Sequence, residues 1–275
     1  MEEKLQQRRL WDIQLDILDI IDNICKKNGL HYSLYAGTLL GAVRHKGFIP
    51  WDDDLDICMP RDDYEKFLIM WENENHQGYI LQNKRNTPSF TQSFTKIRKD
   101  HTTFLQYDWE KDRYHTGIFV DIFPLDRCPR SFFGQSIFRW QCAKYQLYTR
   151  EYAPPKAHLF VKFISKLVLS ITSEKQREDY RNRFEEKLIT FFSDDSLPLV
   201  FTECMDTLYR TYPNTFFQEY IDLLFERKSY RCFAQWDEYL KSEYKDYMKF
   251  PPESERVWKH NHLIIDFDHN YGEEE

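Results

Sequence analysis

The chain has 275 residues, 41% of them hydrophobic and 30% charged, which allows a sizeable core and excludes both a disordered chain and a membrane bundle. Its 38 Lys/Arg and 45 Asp/Glu leave a net charge of −7, which argues against a general nucleic-acid binder built on a basic stripe. With only 8 Gly and 11 Pro, collagen-like and low-complexity readings are also excluded.

Leu10, Ile13, Ile17, Ile20, Ile21 and Ile24 recur at helical spacing, and Asn28-Gly29 supplies a stop, so the chain opens with an amphipathic helix. This charged N-terminus lacks the apolar run and cleavage site of a signal peptide. No stretch reaches the ~20 apolar residues of a membrane span. Residues 32–36 read as a short strand ending in Gly37-Thr38, with a turn or two of helix over 39–44. Residues 54–59 read as a second strand, stopped by Pro60. Asp62 then takes the N-cap place, with Glu65 completing a capping-box-like pattern, for a helix from Asp63 to about Trp71. Strands are expected over 94–97 and 103–107, and over 117–123, where β-branched and aromatic residues dominate. Asp126, beyond Pro124, reads as a loop cap.

Residues 131–192 are mainly helical in pattern, broken at Pro154-Pro155. A strand or hairpin near 230–233 and a helix over 236–247 follow, closed by Pro251-Pro252, and the acidic tail 272–275 reads as frayed. This order implies an α+β fold with a mixed sheet flanked by helices. The expected division is a catalytic core over 1–126, a basic helical segment over 127–192 and a C-terminal part of the same domain over 193–275. Residues 127–188 carry 13 Lys/Arg and 6 Asp/Glu, a local +7 beneath the overall −7. Cys25, Cys58, Cys128, Cys142, Cys204 and Cys232 form no CxxC pair, and their scatter suits a reducing cytosol.

The segment 35–57 carries the chemistry. On a strand, Asp54 and Asp56 share one face while Leu55 and Ile57 point into a core. Two adjacent carboxylates repel and lose hydration unless a cation sits between them. They form either a solvated acidic turn or a site for a divalent ion such as Mg²⁺. Gly37-Thr38 lies at a helix start, where backbone N–H groups and the helix dipole favour an anion. Arg44 and Lys46 follow, as cations for a phosphate or as solvated loop charges. Asp121, inside an apolar strand, is either a satisfied core residue or a third metal ligand or base. A phosphate turn followed by a carboxylate pair is what phosphoryl or nucleotidyl transfer requires.

The run from Tyr35 through Gly37-Thr38, Arg44, Lys46 and Trp51-Asp52-Asp53-Asp54-Leu55-Asp56-Ile57 closely resembles the signature of the LicD family, within the DNA polymerase β-like nucleotidyltransferase superfamily. The segments Met59-Pro60-Arg61-Asp62-Asp63-Tyr64 and Val120-Asp121-Ile122-Phe123-Pro124 also resemble it. So does the terminal motif Tyr247-Met248-Lys249-Phe250-Pro251-Pro252 with Arg256 and His260. The resemblance covers about residues 5–265. It implies a nucleotidyltransferase-like sheet with a mainly helical insertion and C-terminal part. It further implies transfer of phosphocholine, or a polyol phosphate as in fukutin and fukutin-related protein, from a CDP-linked donor to a surface glycan such as lipopolysaccharide, teichoic acid or capsule. The family's DxD falls on Asp54 and Asp56, its Gly-Ser-like turn on Gly37-Thr38 and its later acidic position on Asp121, with Mg²⁺ or Mn²⁺ as the implied cofactor. The chain departs from the family at Lys245, where Gly often precedes Asp-Tyr-Met.

Trp51, Tyr107, Trp109, Trp236 and Tyr247 are available to cage a choline ammonium, or to pack a core. The apolar run 158–171, within 156–171, carries Lys162 and Lys166. It reads either as a helix lying on an anionic bilayer or as a buried helix with snorkelling lysines. The expected partners are thus a CDP-linked donor and a surface or lipid-linked glycan, with no nucleic acid. The expected location is cytoplasmic, with peripheral membrane contact possible. The competing functions are nucleotidyl transfer to a small molecule and a non-catalytic role in a glycan pathway.

Overall fold

The architecture is taken from a computed structural model that describes residues 2–107, 110, 113–155, 157–190, 194, 196–203, 207–258 and 262–273. Trp109, Lys156, Phe192, Cys204, His260 and the last two tail residues lie outside these. The fold is α+β, and the contacts divide the chain into two discontinuous compact units. One holds residues 1–82, 95–123 and 215–275, the other 83–94 and 124–214.

In the first unit, α1 (Glu2–Asn28) buries Leu10, Ile17, Leu18, Ile21 and Ile24, the apolar stripe seen in the sequence. β1 is only Ser33–Leu34, because α2 (Ala36–Arg44) begins at once and takes Gly37-Thr38 into its first turn. β2 (Asp56–Pro60) starts two residues later than the sequence pattern indicates, so Asp54 precedes the strand. α3 (Arg61–Asn73) starts directly after Pro60. Asp62 therefore lies in its first turn, not at the cap. The capping box does not form. Glu65 instead accepts from Arg61 at 3.1 Å, and Asp63 accepts from the His31 backbone N–H at 3.0 Å.

β3 (Tyr79–Gln82), β4 (Thr95–Lys99) and β6 (Phe119–Arg127) complete a sheet ordered β1-β2-β6-β4-β3. β5 (Thr103–Leu105) pairs antiparallel with β10 (Ile264–Asp266), packing Phe104 with Leu10, Ile118 and Phe119. The hairpin β8 (Tyr220–Phe225) and β9 (Lys228–Phe233) is followed by α7 (Trp236–Tyr244).

β6 runs through Pro124 into the second unit, where residues 125–127 pair with β7 (Leu199–Phe201). Asp126 is therefore not a loop cap. It is fully buried and accepts from the Thr202 hydroxyl at 2.7 Å. Here α4 (Phe132–Arg150) and α6 (Glu174–Thr190) pack around Phe138, Cys142, Tyr145, Phe184 and Leu188. α5 (Leu159–Ile171) is not a core helix, since Ser165 is its one buried residue.

Candidate active site

The acidic loop before β2 is held by one stripe of α1. Gln7 donates to the Pro50 carbonyl at 2.9 Å, Trp11 to the Asp52 carbonyl at 3.0 Å and Gln14 to the Asp53 carbonyl at 3.0 Å. Positions 7, 11 and 14 share a helical face, so one rigid helix sets three successive parts of the loop. Trp11 also stacks on Phe48, with ring centroids 4.8 Å apart. These α1 side chains were not singled out from sequence, where Gln7 and Gln14 look like ordinary surface polars.

α2 fixes the other side of the loop. The Asp56 N–H donates to the Thr38 hydroxyl at 2.9 Å, and the Asp56 carbonyl accepts from the Tyr35 N–H at 3.0 Å. The Thr38 oxygen is thus a structural acceptor, with its own proton still able to be donated. A Cβ at Gly37 would lie 2.8 Å from Asp52 Oδ2, so the Asp52 carboxylate rests against the first turn of α2. A Cβ at Gly41 would lie 2.5 Å from the Gly47 carbonyl, so glycine permits the close return of the 45–49 loop over α2.

The acidic side chains of the loop converge on one another. Oxygens of Asp52, Asp53 and Asp54 all lie within 4.8 Å of one another. Burial, then Asp54, Asp121 and Asp52, push the Asp56 carboxyl well above the ordinary range, opposed by Lys96. Asp121 is brought beside Asp56 by the hydrogen bond from its N–H to the Leu55 carbonyl, 3.0 Å. It is Lys96's cross-strand neighbour, and the two side chains form a buried ion pair of 2.6 Å. Burial lowers the Lys96 ammonium pKa, and Asp121 opposes that shift. Lys96 is the site residue that sequence reasoning missed.

Arg44 is not a solvated loop cation. Its guanidinium donates to the Tyr247 carbonyl at 2.8 Å and lies 4.8 Å from the Phe250 ring centroid, tying the first motif to the terminal one. Burial and the nearby Arg256 lower its pKa, while Asp52 supports its charge. Lys46 is exposed, with φ +60°, and its carbonyl accepts from the Glu226 N–H at 2.8 Å. Among the cage candidates, Trp51 faces the Arg256 guanidinium at 5.5 Å, and the Tyr247 hydroxyl donates to Asp237 at 2.5 Å. An ammonium at Trp51 would meet that like charge. Tyr107 is exposed, and Trp109 lies outside the described residues.

The family described as LicD/FKTN/FKRP, nucleotidyltransferase domain, matches residues 29–163, which include α2, the acidic loop, Lys96 and Asp121. The lipopolysaccharide cholinephosphotransferase LicD of Haemophilus influenzae is 29% identical over 273 residues, 94% of this chain and 97% of that one. The uncharacterized protein RP689 of Rickettsia prowazekii is 36% identical over 110 residues, 39% of this chain and 36% of its own length. Residues 29–163 thus match the nucleotidyltransferase domain of the LicD family, and the similarity to a LicD protein extends over 94% of the chain.

Proposed function

We propose that this protein is a metal-dependent phosphotransferase. It moves a phosphorylated group, phosphocholine foremost, from a CDP-linked donor to a hydroxyl of a surface or lipid-linked glycan, releasing CMP. The near full-length similarity to a lipopolysaccharide cholinephosphotransferase supports the group and the acceptor. The observation that carries the chemistry is the cluster of Asp52, Asp53 and Asp54 oxygens within 4.8 Å of one another, with Asp121 held beside Asp56 by the hydrogen bond from its N–H to the Leu55 carbonyl, a negative field that a divalent cation would relieve.

Asp54 and Asp56 would hold Mg²⁺ or Mn²⁺, with Asp52 and Asp53 close enough to contribute. The bound ion supplies charge neutralisation at the transferring phosphate. Backbone N–H groups of the Gly37-Thr38 turn take a phosphate oxygen at the α2 N-terminus. Asp121, oriented by Lys96, accepts the proton of the attacking hydroxyl. The hydroxyl oxygen bonds to the distal phosphorus as the bond to the CMP oxygen breaks, and CMP leaves as its anion. Lys96 tempers the negative charge that gathers there.

The test is CMP release on mixing the protein with CDP-choline, Mg²⁺ and lipopolysaccharide acceptor. Release that needs both metal and acceptor, with phosphocholine appearing on the glycan, is the expected result. Nucleotide on the product instead of phosphocholine would assign nucleotidyl transfer, and no reaction with any CDP-linked donor would favour a non-catalytic role.

A further inference from the structure

An ordinary surface helix turns its apolar side inward. α5 does the reverse. Its sheltered stripe is Lys162, Ser165, Val168, Leu169 and then Thr172, and Arg177 ties the end of α5 down by donating to the Leu169 and Thr172 carbonyls at 3.2 and 2.7 Å. The opposite stripe, Phe160, Phe163, Ile164, Leu167 and Ile171, faces solvent, with Phe160 67% and Ile171 71% exposed. In the same unit, the start of α4 exposes Phe132 and Phe133, and one turn beyond Ser136 it exposes Trp140, at 78%. Exposed apolar surface of this extent on a folded unit marks a docking face.

We infer that the exposed stripe of α5 seats the protein on an anionic lipid surface. Charge identifies the occupant: residues 156–171 carry Lys156, Lys162 and Lys166 and no acidic residue, inside a chain of −7, and Lys166 is exposed beside the apolar stripe. Phe at a basic surface suits the headgroup boundary, where an aromatic ring buries its body and meets polar groups at its edge. A two-fold pairing of this face with a second copy would set the same positive charge against itself. No helix among the described residues is long and apolar enough to cross a membrane, so the contact is interfacial.

Vesicle flotation tests it, using phosphatidylcholine alone and phosphatidylcholine with about 30 mol% phosphatidylglycerol. The full chain floats with the anionic vesicles, and added salt weakens the binding. The exposed-face variant Phe160→Gln/Phe163→Gln/Ile171→Gln loses at least about tenfold in partitioning, with its thermal melt unchanged. Failure of the parent chain to float, or equal flotation by the triple variant, overturns the inference. So does a dimer in solution that the triple variant breaks while neither protein floats, which would assign the face to a second copy.

Discussion

Lys96 and Asp121 stand opposite each other on β4 and β6, and their side chains close a 2.6 Å ion pair inside the sheet. Each is buried, so each charge depends on the other for compensation. Lys96→Met strands a carboxylate beside Asp56 and is expected to cost about 3–5 kcal/mol of stability. The double variant Lys96→Met/Asp121→Leu removes both charges and recovers most of that loss, yet stays inactive. Thermal melts beside CMP-release rates check this. Activity retained in Lys96→Met would remove Lys96 from the site.

The Asp56 carboxyl opposes folding when ionised. A carboxyl whose pKa is higher in the folded than in the unfolded state binds more protons when folded. Its contribution is fully present below the ordinary carboxylate pKa and is lost as the pH rises through the raised value. In EDTA at pH 7, Asp56→Asn should therefore melt at a higher temperature than the parent while losing transfer activity. Added Mg²⁺ or Mn²⁺ should raise the melting temperature of the parent and leave the variant nearly unchanged. A lower melting temperature for the metal-free variant would contradict the crowding argument.

Gln14 holds the Asp53 carbonyl from α1 while almost completely buried. Gln14→Leu leaves that carbonyl without its side-chain donor, at a cost of about 1–3 kcal/mol. The acidic loop loses its register with it. Because Gln14 positions the loop and touches no substrate, kcat should fall with donor KM little changed, and higher Mg²⁺ should restore part of the rate. Unchanged kinetics in a destabilised variant would limit Gln14 to a structural role.

Lys245 ends α7 at φ +58°, ψ −107°, a backbone region that glycine adopts without a Cβ penalty. Lys245→Gly should therefore stabilise the fold by about 1 kcal/mol, relieved strain exceeding glycine's entropic cost. A lower melting temperature would show that the strain is absorbed elsewhere.

Much of the site was legible because its key residues lie close in sequence. Thr38 and Asp56 meet across one helix–loop–strand unit, and the apolar stripe of α1 is visible because one whole face is core. Lys96 was not legible, since only the β4–β6 register sets it beside a residue 25 positions away. Gln14 hid on a buried face as a polar residue. Asp126 was misread because Pro124 looks like a strand end. In the fold, the described β4 pairing of β6 ends at Ile122 and the β7 pairing begins at Leu125, so Pro124 occupies the gap, where its missing N–H costs no ladder bond. The outward face of α5 was ambiguous because the same apolar pattern serves a core or a membrane surface, and only burial separates them.

The most direct measurement is the rate of CMP release from CDP-choline, with Mg²⁺ and acceptor glycan, for the parent, Asp54→Ala and Asp56→Ala at matched folded concentration. Loss of the ion from the site should lower the rate of both variants by about a thousandfold or more, with the fold intact by circular dichroism. Release from either variant at the parent rate would contradict the assignment of the carboxylate pair as the catalytic metal site.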